Sequence, residues 1–213
     1  MPIILQPTGT TPIATVALKV APHMRDCPEF TVREAIRQAA IDFCRDSACL
    51  RSEKIELVSV TGSGASEFTL PAVANVTYNA LHFAWSDGEP IDIIQPGDEA
   101  FQSPEETESE KYGVRLYRPN ILKCSPVPVP GKTIWGIVSY EPQDTATVLD
   151  AQLVSRWGNA IEARAKVLLY KMADKPWGRL DLVDFFQRQY REDVGLASHD
   201  AGPINRRLRV QVV

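Results

Sequence analysis

Side chains that carry chemistry unaided are scarce in this chain: its 213 residues hold three histidines and four cysteines. No CxxC pair occurs, and no set of His, Cys and Asp shows metal-ligand spacing, which excludes zinc-finger and dithiol-redox classes. Long apolar runs are absent too; none approaches the roughly 20 residues that span a bilayer. The opening stretch MPIILQPTGTTPIATVAL lacks a basic n-region and is broken by prolines. No signal peptide is expected, and synthesis in the cytoplasm is. Basic excess is missing: 23 Lys and Arg stand against 27 Asp and Glu, a net charge of −4. General duplex binding needs concentrated cations against phosphate, so it is excluded. An apolar fraction of 44% with 23% charged residues rules out the biased compositions of disordered, collagenous or coiled-coil chains. One globular domain, or one with a substantial insertion, remains.

Motifs that hint at catalysis fail on their context. GKT at 131–133 ends a phosphate-binding loop only if a Gly stands five residues before the second Gly and a helix follows; position 126 is Pro126, and the next segment reads as a strand. TGSGAS (61–66) runs into the strand-like EFTLP, where a nucleophile elbow would open a helix. His82 falls on one face of an expected strand and reads as a surface or satisfied histidine, while His23 and His199 flank chain breakers and read as solvated. Cys44 and Cys49 lie five apart on an expected helix, about 140° around it, which suits no shared metal. With Cys27 and Cys124 they read as reduced, buried thiols. NVT at 75–77 is a formal glycosylation sequon, of little weight without a signal peptide. Trp135, Trp157 and Trp177 read as core or interface anchors. No catalytic residue, cofactor site or metal site is expected, and the chain is not expected to be an enzyme.

Patterning gives the organisation. Residues 1–30 read as an N-terminal arm in which IATVALKVAP holds a short strand. TVREAIRQAAIDFCRDSACL reads as a helix with a Thr31/Glu34 capping box and an apolar stripe of Ile36, Ala39, Ala40, Phe43 and Cys44. Between residues 51 and 149, short segments rich in β-branched and aromatic residues are punctuated by Gly, Pro, Asp and Ser, as in antiparallel sandwiches and barrels. SDGEP (86–90) marks a tight hairpin, because Gly88 takes positive φ readily. QSPEETESEK (102–111) reads as an exposed acidic loop, and CSPVPVPGK (124–132) as an extended edge. Two helices follow: one after Asp150 as N-cap, with Leu153, Trp157, Ile161, Leu168 and Met172 in a stripe, and one after Asp181 with Leu182, Phe186, Tyr190 and Val194. The expected fold is α+β: a helical domain of three main helices (31–50 and 150–198), an inserted antiparallel β-sandwich or barrel-like domain (51–149), and an extended C-terminal tail (199–213).

The tail ends PINRRLRVQVV, in which Leu208, Val210 and Val212 alternate with Arg207, Arg209 and Gln211. That is the period-2 pattern of a half-buried strand, with no hairpin partner nearby in sequence.

Three stretches resemble the head-to-tail adaptor (neck or connector) proteins of tailed bacteriophages, particularly short-tailed ones. CPEFTVREAIRQAAIDFCRDS resembles that family's first helix, NAIEARAKVLLYKMADKPWGRLDLVDFFQRQYRED its later helix pair with a Pro-Trp loop, and RRLRVQV its basic, strand-like tail. The likeness covers roughly residues 20–213; the first twenty residues and the acidic loop lie outside it. It implies a structural protein of the virion neck, made in the host cytoplasm. Copies would form a dodecameric ring beneath the portal protein, extend the channel through which DNA passes without sequence-specific binding, and present a platform to the tail hub or nozzle. No membrane and no cofactor are implied. On this reading Arg206, Arg207, Leu208, Arg209, Val210 and Val212 dock on the portal or a neighbouring subunit by adding a strand to an exposed sheet edge; the other reading of the tail is that it packs on the chain's own β insertion. The alternatives are another neck or tail-completion protein, or a glycan- or protein-binding β module whose platform is Tyr78, Phe83, Trp85, Tyr112 and Tyr117. An enzyme of unrecognised type is the remotest.

Overall fold

The computed structural model describes residues 3–4, 9–62, 65–94, 113–118, 120–125 and 127–202. Near the N-terminus, Ile13, Val16, Ala17 and Val20 recur at i, i+3, i+4 and i+7, the spacing of one helix face. They form α1 (Ile13–Val20), with all four buried. The β-branched residues of this stretch favour a strand locally, and the buried helical stripe overrides them. A 3-10 turn at Ala21–His23 leads to α2 (Glu29–Ser47), which starts one turn earlier than the Thr31/Glu34 box suggests. Extended Pro28 precedes it, and Glu29 faces the positive end of the helix dipole. The expected stripe of α2 is fully buried from Ile36 to Cys44. In α3 (Ala151–Tyr170) the Asp150 carboxylate accepts from the Gln152 and Leu153 N–H groups at 2.8 and 3.0 Å, as its sequence position predicts. Asp181 caps nothing; α4 (Leu180–Asp200) starts after Arg179, which pairs with Asp181 instead.

The described residues also form twelve strands, of which β6 and β11 are long: β1 (Ile3–Ile4), β2 (Thr10–Pro12), β3 (Leu50–Arg51), β4 (Ile55–Ser59), β5 (Glu67–Thr69), β6 (Val76–Ser86), β7 (Glu89–Pro90), β8 (Asp92–Ile93), β9 (Gly113–Arg118), β10 (Ile121–Ser125), β11 (Thr133–Pro142) and β12 (Val148–Asp150). One sheet runs β1-β3-β11-β6-β7 with β4 also on β11, a second runs β5-β10-β9-β8, and β12 pairs with β2 alone. Asp87 and Gly88, both at positive φ, turn β6 into β7 at the expected hairpin, with Ser86 opposite Glu89.

These elements correct the expected fold class. Among the described residues there are four α-helices rather than three, and the strands form three sheets rather than one inserted antiparallel domain. Two pairings, β1 with β3 and β8 with β9, are parallel. The first strands join sheets completed far along the chain, which local pattern cannot foresee.

By packing, the chain divides into two units. A helical unit takes the chain up to Glu53, Ala72–Asn79 and Ser139–Ala201; a strand unit takes Lys54–Pro71 and Ala80–Val138. The helical unit centres on α3, which packs against α1, α2 and α4. Ala160, Ala163 and Ala165 are buried there, their small side chains letting neighbours approach. In the strand unit Leu57, Leu81, Val114, Leu122 and Ile134 form the core. Gly136 of β11 allows a close approach: a Cβ there would stand 2.5 Å from Leu57 Cδ1 and 3.0 Å from the Phe83 carbonyl oxygen.

Candidate functional site

The tail residues expected to dock, Arg206, Arg207, Leu208, Arg209, Val210 and Val212, lie outside the described residues, as does the acidic loop at 102–111. The structure describes the point from which the tail departs. Arg51 is 4% exposed; its Nε donates to the Ala48 carbonyl and its Nη1 to the Ala201 carbonyl, each at 2.9 Å. Ala48 and Ala201 follow the last residues of α2 and α4, so one guanidinium serves the C-termini of two helices, where both dipoles are negative. Burial draws this guanidinium below its usual pKa, against the opposing pull of Cys49. Arg156 pairs with Asp200 at 3.1 Å and the Ser198 hydroxyl donates to the Ser47 carbonyl at 3.3 Å. The last turn of α4 is thus held at three places. Gly202, at φ +82, then takes the chain out of the helix.

A second polar group ties the same helices further along. Asp42 and Asp46 sit one turn apart on α2. Arg164 of α3 donates to Asp42 at 2.8 Å, and the Tyr190 hydroxyl of α4 donates to Asp46 at 2.7 Å. The Arg164 guanidinium also lies 5.3 Å from the Tyr190 ring centroid, and Phe43 stacks edge-on to that ring. Burial, then the bond to Asp46, pushes the Tyr190 hydroxyl well above its ordinary pKa. Every member has a structural partner, so the group is a clasp between helices. Neither the Arg51–Ala201 contact nor this clasp is marked in the sequence, because the partners lie more than a hundred residues apart.

The helical unit nonetheless presents large apolar side chains to solvent. Leu18 and Phe30 are each 74% exposed, Phe185 63% and Leu196 61%.

The chemical motifs resolve as follows. Gly131, at φ +88, makes a turn and Thr133 starts β11, so GKT leads into a strand. His82 is 3% exposed, buried rather than on the surface; His23 and His199 are exposed. Three cysteines are buried and Cys27 is half-buried, all as free thiols. The helical geometry expected to separate Cys44 from Cys49 does not apply. α2 ends at Ser47 and Ala48 turns left-handed at φ 49, so Cys49 lies beyond the helix; the neighbouring Cys49 thiol, then burial, raises Cys44 well above its ordinary pKa. Among the described residues no group of three or more His, Cys, Asp and Glu is placed to hold a metal. Tyr78 is buried against Tyr140 in the helical unit, while Phe83 and Trp85 stack in the strand unit with the Lys54 ammonium over the indole. Tyr117 is flanked by Arg115 and Lys123, and Tyr112 lies outside the described residues. No helix among the described residues is long and apolar enough to cross a membrane.

Compared with known proteins, the chain matches no family model and no curated protein.

Proposed function

We propose that the chain is a structural, non-enzymatic protein of the virion neck. On this reading it is a head-to-tail adaptor that assembles into a ring between the portal and the tail. What supports the reading is that stretches resembling the adaptor family, separated by more than a hundred residues, fold as α2, α3 and α4 of one unit and are clasped to one another by Arg164–Asp42 and Tyr190–Asp46. Large apolar side chains exposed on that unit, Leu18, Phe30, Leu180, Phe185 and Leu196 among them, suit a protein that meets other copies of itself.

The test is co-sedimentation of the full-length chain with portal rings or DNA-filled capsids from the same source. Stoichiometric binding is expected. Absence of binding to either overturns the adaptor reading and favours a later tail component. The stacked Phe83–Trp85 pair favours a second reading, a binding module. Binding of the full-length chain to a glycan array, lost with Trp85→Ala, would replace the adaptor reading by that one.

A further inference from the structure

The strand unit contains an open groove of about 490 Å3 lined by Glu56, Leu57, Val58, Ser59, Phe68 and Thr69, with Pro71 at its end. Its two sides are strands with one partner each among the described residues: β4 pairs with β11, and β5 with β10. In a paired strand, alternate N–H and C=O groups point away from the partner and form an edge ready to accept another strand. On the neighbouring stretch of the same sheet, the edge of β3 is already taken by β1. The edge of β4 is bordered by the groove.

The groove has two chemistries. Val58 is buried beneath it and Phe68 half-buried beside it, whereas Glu56, Ser59 and Thr69 are exposed along the rim. Glu56 makes no ion pair among the described residues. An occupant that fits would be an extended strand with apolar side chains on one face and cations on the other.

The chain itself supplies such a segment. Leu208, Val210 and Val212 alternate with Arg207, Arg209 and Gln211 in the eleven residues that follow Gly202. Fully extended, eleven residues reach about 36 Å. The root of that segment is fixed by Arg51, Asp200 and Ser198, so its ordering costs less than that of a segment with a loose start.

The geometry points to residues 206–212 of one copy adding as a strand to the free edge of β4 in a neighbouring copy, with Leu208, Val210 and Val212 towards Phe68 and the arginines towards Glu56. The inference deepens the adaptor reading, and rests on it for the identity of the neighbour as a second copy. A tail given to one neighbour and a groove filled by the other is a heterologous contact, which closes into a ring when the rotation per copy allows. The basic tail then belongs to self-assembly, and portal binding is left to other surfaces.

The experiment mixes two full-length chains. The acceptor carries Ser59→Cys, with Val210→Pro and Val212→Pro to keep its own tail from pairing. The donor carries a cysteine at Leu208, Val210 or Val212 in turn. Oxidation is expected to join donor to acceptor at one or more tail positions, well above a control pair holding the native cysteines alone. No joining at any position overturns the inference. So does a chain holding both Ser59→Cys and a tail cysteine that closes on itself at high dilution. Hydrogen exchange of the β4 amides in the unmodified chain gives an independent readout: protection at assembling concentrations, lost in the tail-proline variant, is expected, and protection that ignores the tail overturns the inference. Portal co-sedimentation of the same variants separates the two ideas. Portal binding without tail–groove joining removes this inference and keeps the adaptor, whereas joining without portal binding removes the adaptor and keeps the contact.

Discussion

The helical and strand units hold themselves together by different means. In the helical unit, side chains reach partners far away in sequence: Arg164 to Asp42 and Tyr190 to Asp46 between helices, Arg51 of β3 to Ala201 after α4, and Arg45 of α2 to Glu141 of β11. The ion pairs described in the strand unit, Lys123–Glu67 and Lys132–Asp87, lie on its surface, where such pairs contribute little. Order there comes from backbone ladders and from places such as Gly136 where backbone and side chains approach closely. Several independent ties let the helical unit lose one polar contact and keep its fold. The strand unit has little tolerance for added volume and leaves edges open to further pairing.

The sharpest test of this contrast is the centre of the helical unit. Phe43 is fully buried against Trp157 and Tyr190. Phe43→Ala is expected to cost about 3–5 kcal/mol, measured by denaturant unfolding. Hydrogen exchange should show the loss in the helical amides; equal loss in the strand amides would break the distinction between the units. In the strand unit, Gly136→Ala adds a single methyl group where none fits, with an expected cost of about 1–3 kcal/mol. A neutral outcome there would mean that β11 shifts freely and that close backbone approach is not what orders this unit.

Removing one tie should be milder than emptying the centre. Arg51→Leu withdraws two charge-assisted bonds from the ends of α2 and α4, at about 1.5–3 kcal/mol. The exchange rates of the last turn of α4 should rise most, and unchanged rates there would show that Arg156–Asp200 and Ser198 suffice.

Alkali discriminates in a different way. Burial raises the hydroxyl pKa of Tyr78, Tyr140, Tyr170 and Tyr190, Tyr140 to about 12. Above about pH 10 the unfolded chain gives up these protons while the folded chain keeps them. Stability is therefore full below that pH and falls as pH rises from there towards the folded values. All four tyrosines belong to the helical unit. Its helical circular dichroism should vanish together with a step in tyrosinate absorbance, and a smooth titration near pH 10 without unfolding would contradict the burial. The smallest expected effect is at Ala48, whose left-handed φ of 49 suits glycine at a helix end. Ala48→Gly should stabilise α2 by up to about 1 kcal/mol, seen as a rise in Tm.

Much of the helical unit was legible in the sequence. The stripe from Ile36 to Cys44, Asp150 as a cap, and the break before α4 follow from periodicity and local hydrogen bonding, which act within a few residues. Asp87 and Gly88 were legible for the same reason. α1 was missed because two local signals compete there: β-branched composition favours a strand, while the 13/16/17/20 spacing favours a helix, and burial decides between them. The Cys44–Cys49 contact was missed because it depends on where α2 stops, a matter of one left-handed residue.

By itself, then, the sequence determined the helices with a single apolar face, the tight turns, the scarcity of chemically active side chains, and a tail that alternates as a strand does. Only the tertiary structure decided that α2, α3 and α4 share a unit with α1. It also decided that Arg51 fixes the root of the tail and that β4 borders an open groove. The division has a physical cause. Caps, turns and amphipathic periods are set by forces between neighbours in the chain. Strand partners, and the carbonyls that receive a buried guanidinium, are chosen by packing among residues far apart in sequence, where no local pattern records the choice.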